Sequence, residues 1–226
     1  MVGSQDLEAQ KGIVLVVQFK DELAFVQKEA LEAAGYIVVV RRSIENAFLW
    51  LTENIDQVTA IVLDAILPQN DKDGDEAIRL RQERIAVFSS HLNAEEHGEQ
   101  ELASSFKQDA RNLDSQIFEL ILLEGGCELV ERCLLSQAMK NYIVDHKLNL
   151  SIVYFSDRND PVMVDRAYRL SAQGKVEWVR IDRLGMRLIY MIHDEGARMQ
   201  TLQNRQISIM LEALERVKNG QGLSYW

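Results

Sequence analysis

A chain of 226 residues with 25 Lys+Arg against 35 Asp+Glu and 47% hydrophobic residues is long enough to bury one large core or two small ones, and is too apolar to be disordered. Its net charge of −10, with no basic run longer than Arg41-Arg42, argues against nucleic acid or an anionic membrane as a primary partner. Pro68 and Pro161 are its only prolines, so long helices are permitted almost everywhere.

Cys127 and Cys133 stand six apart, a spacing that fits neither a CxxC redox pair nor a four-ligand zinc site, and they read as buried, reduced thiols. The polar first dozen residues, the lack of an 18-residue apolar run and the lack of a C-terminal lipidation Cys lead to the expectation of a soluble cytoplasmic protein.

The β-branched run Ile13 to Val17 has the pattern of a strand buried on both faces of a parallel sheet. Helical spacing follows from Asp21, with Leu23, Val26, Ala30, Leu31 and Ala34 on one face and Gly35 at the C-cap. Tyr36 to Val40 predicts a strand, Ser43 caps a helix through Leu51, and Ala60 to Leu63 predicts a third strand closed by Asp64. Strands alternating with helices imply right-handed crossovers and a parallel sheet covered on both faces.

After Leu67-Pro68 the sequence reads as a polar loop, Gln69 to Asp75, and then a short helix around Ala77, Ile78 and Leu80. Asn93 with Glu96 three residues on has the spacing of a capping box, opening a long helix with Leu102, Phe106, Leu113, Ile117, Leu120 and Ile121 on its apolar stripe. Gly125-Gly126 reads as a turn into a second helix carrying Val130, Cys133, Leu134, Ala138 and Tyr142, which makes a helical hairpin. Leu150 to Phe155 predicts a fourth strand, Asp160-Pro161 the start of a helix ended by Gly174, and Val176 to Ile181 a fifth strand. The tail from Leu184 to about Lys218 is helical, with Met210 and Leu214 on its late apolar face. The expected architecture is a five-stranded α/β domain interrupted between its third and fourth strands, with domain parts 12–92 and 149–226 around a hairpin at 93–148.

Four segments carry a family resemblance: Ile13 to Val17, Ala34-Gly35-Tyr36, Ile61 to Pro68 with its Leu63-Asp64 and Leu67-Pro68, and Ile152 to Asp160. Together they resemble the receiver domain of two-component response regulators, over about residues 12–80 and 149–220. The resemblance implies a three-layer, doubly wound flavodoxin-like sheet of order 2-1-3-4-5. It implies Asp64 as the aspartate phosphorylated by a histidine kinase and Ser156 as the switch hydroxyl. It also implies an acidic pair after the first strand to hold Mg²⁺, but those positions hold Gln18 and Phe19. Where the family has a lysine, the nearest basic group is Arg180, which forks and is not an equivalent phosphate clamp.

Two roles for Asp64 follow. It is a working phosphoacceptor with Mg²⁺ held by Asp64, Asp21 or the loop aspartates Asp71, Asp73 and Asp75, or it is a retained strand-end carboxylate in a pseudo-receiver that acts through protein contact. The loss of two formal charges favours the second, with no cofactor and no resident metal. The loop aspartates fail the EF-hand pattern, because Glu76 and Gln82 stand where Gly and a bidentate Glu belong. The four histidines are scattered and read as solvated surface. A third reading is a receiver-like wing fragment of a basic amino-acid decarboxylase, although the chain has no Schiff-base lysine region.

Residues 94–147 hold eleven acidic and five basic residues, so the expected hairpin is the acidic part of the chain. An apolar stripe on such an arm must be covered by its own sheet, by a second copy or by a partner. Leu102, Phe106, Leu113, Ile117, Leu134, Met210 and Leu214 are the candidate interface residues, with a homodimer, a histidine kinase or a regulatory protein as the expected partners.

Overall fold

The computed structural model describes residues 11–123, 125–135, 151–156, 176–180 and 195–219. The expected helix between Asp160 and Gly174, and the part of the expected second hairpin helix that includes Ala138 and Tyr142, lie outside these residues.

Five strands form one parallel sheet: β1 (Ile13–Val17), β2 (Ile37–Arg41), β3 (Val58–Asp64), β6 (Ser151–Ser156) and β7 (Val176–Arg180), in the order β2-β1-β3-β6-β7. Ile61 lies opposite Ile152 and Asp64 opposite Phe155, so the chain returns to the same sheet after leaving it at β3. The β2-β1-β3-β6 order agrees with the expected 2-1-3-4, and β7 follows at the edge.

Period-two alternation divides the core between the two faces of the sheet. Leu15, Val17, Ile61 and Leu63 pack against α2 (Ile44–Asn54) and α5 (Gly125–Leu135) through Ile44, Leu51, Leu129 and Cys133. Val14, Val16, Ala60 and Val62 pack on the other face with Leu31 of α1 (Asp21–Ala33) and with Met210, Ala213 and Leu214 of α6 (Glu195–Lys218). Gly35 ends α1 at φ +90, and Ser43 caps α2 by accepting from the Asn46 N–H at 3.4 Å, both as the sequence predicts. Tyr36, next to Gly35, donates to Glu215 Oε1 at 3.0 Å and accepts from Lys218 Nζ at 2.9 Å, fixing α6 to that corner.

A helical hairpin is present, but earlier in the chain than the one expected at 93–148. It consists of α3 (Asp71–Glu96) and α4 (Gln100–Leu120), turning at Gly98, whose φ of +75 needs no Cβ. The segment expected as a loop, Gln69 to Asp75, holds the cap and first turn of α3: Asn70 Oδ1 accepts from the Asp73 N–H at 3.0 Å, and Asp71 and Asp73 face the positive helix end. Asn93 and Glu96 do not start a helix. They are the last turn of α3, and the Asn93 carbonyl accepts from the His97 N–H at 3.2 Å. Ile85 to Ser89 lies in the middle of α3.

At its base the hairpin is clasped by two short antiparallel strands, β4 (Leu67–Pro68) and β5 (Ile121–Leu122). Gly125-Gly126 is not a turn between helices but the start of α5. A Cβ at Gly125 would lie 2.8 Å from Leu67 Cβ and 2.9 Å from its backbone N and O, so glycine is selected by close approach. Cys127 and Cys133 are both free and buried, and burial pushes the Cys133 thiol up to about 12.

Gly125→Ala should therefore lower stability by about 1–3 kcal/mol, the usual cost of overpacking. Chemical denaturation checks this against Gly98→Ala, whose Cβ meets nothing within 4 Å and whose cost comes from the left-handed backbone alone.

Candidate functional site

Asp64 closes β3 at the carboxyl edge of the sheet, beside the exit of β1. Its Oδ1 accepts from the Ile66 N–H at 3.0 Å, an Asx-type turn that shapes the exit of the strand. Its Oδ2 accepts from Gln18 Nε2 at 3.0 Å. The orientation of the Gln18 amide follows from its two neighbours. The Lys20 N–H can only donate and takes Gln18 Oε1 at 3.1 Å, while the Asp64 carboxylate can only accept, so the NH₂ end faces Asp64. Gln18 is 2% exposed, and this pairing satisfies both ends of a buried amide.

Phe19, at the second expected acidic position, is wholly buried. It belongs to the cluster of Ala77, Leu80, Leu113, Ile117 and Ile121 that roots the hairpin on the sheet edge. The first turn of α3 comes close to it at Gly74, where a Cβ would stand 3.8 Å from Phe19 Cβ and 3.1 Å from Pro68 Cγ. Arg81 and Lys20 lie over the Phe19 ring at 5.5 Å each.

The other acidic candidates are engaged at the start of the hairpin. Arg42 bridges Asp21 Oδ1 at 3.1 Å and Asp75 Oδ1 at 2.8 Å. Asp71 Oδ2 accepts from Asn46 Nδ2 at 2.6 Å, and Asp73 Oδ2 from Asn70 Nδ2 at 2.9 Å. Exposed pairs of this kind contribute about 0–1 kcal/mol each, so they orient α3 against α1 and α2 more than they stabilise it. In the sequence Arg42 is only half of a basic pair. Its role comes from tertiary placement at the end of β2 between two helix starts.

The Mg²⁺ that the resemblance to receivers implies does not fit this arrangement. Gln18 offers Asp64 a donor, not a ligand oxygen, Phe19 offers none, and Asp21 and Asp75 face a guanidinium. Among the described residues no three His, Cys, Asp or Glu side chains are grouped to hold a metal ion. The backbones of Ser156 and Arg180 lie opposite each other at the carboxyl ends of β6 and β7, on the same edge as Asp64.

The interface candidates separate. Leu113 and Ile117 are buried at the root of the hairpin, Phe106 is half-buried and Leu102 is 46% exposed. Met210 and Leu214 are both 0% exposed because the chain's own sheet covers them, so they cannot meet another molecule without opening the core. The Leu134 side chain lies outside the described residues. His91, expected on the surface, is buried and joins the two helices, with Nδ1 2.9 Å from the Ala103 carbonyl and Nε2 3.5 Å from Glu95. A histidine one turn before Glu95 was its only sequence signal.

No family model and no curated protein matches the chain. Among solved structures, a response regulator receiver domain protein from Clostridium thermocellum is 11% identical, with 89% of this chain and 98% of that chain covered and a TM-score of 0.38. A fusion protein carrying a yeast trimeric coiled coil is 13% identical, with 93% and 83% covered and a TM-score of 0.41. Likenesses this distant carry no argument about what this chain does. No described helix is long and apolar enough to cross a membrane.

Restoring one acid tests the site. Gln18→Glu places two carboxylates about 3 Å apart and should cost about 1–3 kcal/mol at neutral pH. The shared proton raises the folded-state pKa of the pair, so the variant's deficit should shrink as pH falls into the carboxylate range and grow as pH rises out of it. Thermal unfolding across a pH series measures this; a deficit independent of pH would mean that Gln18 and Asp64 do not touch.

Proposed function

We propose that this chain is a receiver-like signalling module that acts by protein contact and has given up metal-dependent phosphorylation. In this reading the helical hairpin α3–α4 is an insertion between β3 and α5, and the sheet is the platform that holds it. The strand order and the strand-end carboxylate Asp64 support kinship with receivers. The observation that carries the loss of chemistry is the hydrogen bond from Gln18 Nε2 to Asp64 Oδ2. Phosphoryl transfer to a carboxylate needs a cation to neutralise charge that develops on the phosphoryl oxygens. Here the carboxylate faces a neutral amide, and the nearby acids that could have held a cation orient Arg42.

With its phosphorylation chemistry absent, the fold's output is a surface. The partners this implies are a second copy of the chain or a regulatory protein. Neither a nucleic acid nor a membrane is implied, given the charge of −10.

Intact mass after incubation with acetyl phosphate and Mg²⁺ tests the reading. The expected result is no added phosphoryl mass. A gain that vanishes in Asp64→Asn would contradict it and identify a phosphorylatable regulator served by a histidine kinase.

A further inference from the structure

The outer turns of the hairpin have a surface that the sheet does not explain. The buried members of the cluster joining the hairpin to the sheet stop at Leu80 on α3 and Leu113 on α4. Beyond them the fully buried residues between the helices are Ala94, Ala103, Ala110 and His91, with Val87 and Phe106 half-buried. Other large apolar side chains of these turns stay outside the seam. Ile85, Phe88 and Leu92 follow one another at i, i+3 and i+7 on α3 and are 63%, 42% and 46% exposed.

A second stripe runs beside them on α4: Lys107, Arg111, Asp114 and Phe118, at i, i+4, i+7 and i+11, with Phe118 54% exposed. Arg84 fixes the two stripes on the same side, because its guanidinium pairs with Asp114 at 2.6 Å and lies 5.7 Å from the Phe88 ring centre. The register set by Arg84–Asp114 and His91–Ala103 brings Lys107 and Arg111 level with Ile85 and Phe88. Asp114 is taken by Arg84, and among the described ion pairs Lys107 and Arg111 have no carboxylate partner. The result is an apolar ledge edged with positive charge on a chain of net −10.

The same chain has the complementary surface. On α1, Glu22, Phe25, Glu29 and Glu32 form an exposed stripe at i, i+3, i+7 and i+10, with Phe25 63% exposed between Glu22 and Glu29. Lys28 partly neutralises Glu32 at 3.6 Å, which leaves Glu22 and Glu29 flanking the aromatic ring. An exposed Phe between two carboxylates matches an apolar ledge edged by two cations.

We infer that the hairpin ledge of one copy docks on the α1 face of a second copy, Phe25 against Ile85 and Phe88, with Glu22 and Glu29 facing Lys107 and Arg111. A two-fold arrangement makes this contact twice, each arm reaching its partner, and closes the assembly without a filament. The inference rests on the contact reading above and names its partner as the chain itself. It is independent of whether Asp64 accepts phosphate, so its failure is read separately from the mass measurement.

Sedimentation equilibrium of the full chain tests it. The wild type should be a reversible dimer. The double reversal Lys107→Glu with Arg111→Glu should weaken the dimer by about tenfold or more, as should Glu22→Lys with Glu29→Lys, and the four changes together should restore it. All four side chains are exposed, so circular dichroism should be unchanged in every variant. A monomeric wild type would mean that something other than a second copy covers the ledge and would overturn the inference. So would a dimer indifferent to either reversal, or two reversals that fail to compensate.

Discussion

A buried aromatic ring at position 19 and an acidic pair after β1 exclude each other, and much of this structure follows from the choice of the ring. Burying Phe19 under Ala77, Leu80, Leu113 and Ile117 contributes about 1.5–3 kcal/mol of apolar transfer and gives the hairpin a fixed root on the sheet edge. A carboxylate in the same place would be taken out of water with no cation to receive it, a cost of several kcal/mol that the site avoids only by staying open. An open acidic site at that edge could not seat this hairpin there. This chain seats the hairpin.

The neighbouring groups have adjusted to that choice. Asp64 accepts from a backbone N–H and an amide NH₂, and Gln18 gives its oxygen to the start of α1. The carboxylates around the hairpin's entry serve as helix-start and pairing groups, with Arg42 joining the first turns of α1 and α3. The β4–β5 clasp brings the chain out of the hairpin beside the point where it entered, so α5 can resume its place on the sheet against α2. The outer turns, freed from the sheet, are where exposed apolar residues gather, and an arm rooted at one end suits contact with another molecule.

The sheet was legible in the sequence because its signals are local. Ile13 to Val17 is an unbroken β-branched run, Gly35 and Ser43 are helix-end residues in their ordinary places, and the expected strands fall within a residue or two of those found. The hairpin was legible as a pattern but misplaced along the chain. Three aspartates alternating around a glycine look like a loop, yet Asn70 caps them into a helix; Asn93 with Glu96 looks like a helix start, yet Gly98 makes it an end; and Gly125-Gly126 looks like a turn, yet Gly125 is there for close packing on Leu67. In each case the same residue types serve two local structures, and only tertiary contact selects between them. The site divided in the same way. The missing acidic pair could be read directly from Gln18 and Phe19, whereas the buried role of His91 and the bridging role of Arg42 depend on elements far apart in sequence.

The proposal that an amide replaces metal chemistry at Asp64 is tested most directly by following the Gln18 side-chain NH₂ signals by nuclear magnetic resonance while Mg²⁺ is added to the full chain. With the amide held by Asp64, those signals should be protected from rapid solvent exchange and should stay in place through millimolar Mg²⁺, moving only in Asp64→Asn. Saturable shifts of the Gln18 signals on adding Mg²⁺ to the wild type, with loss of their protection, would contradict it.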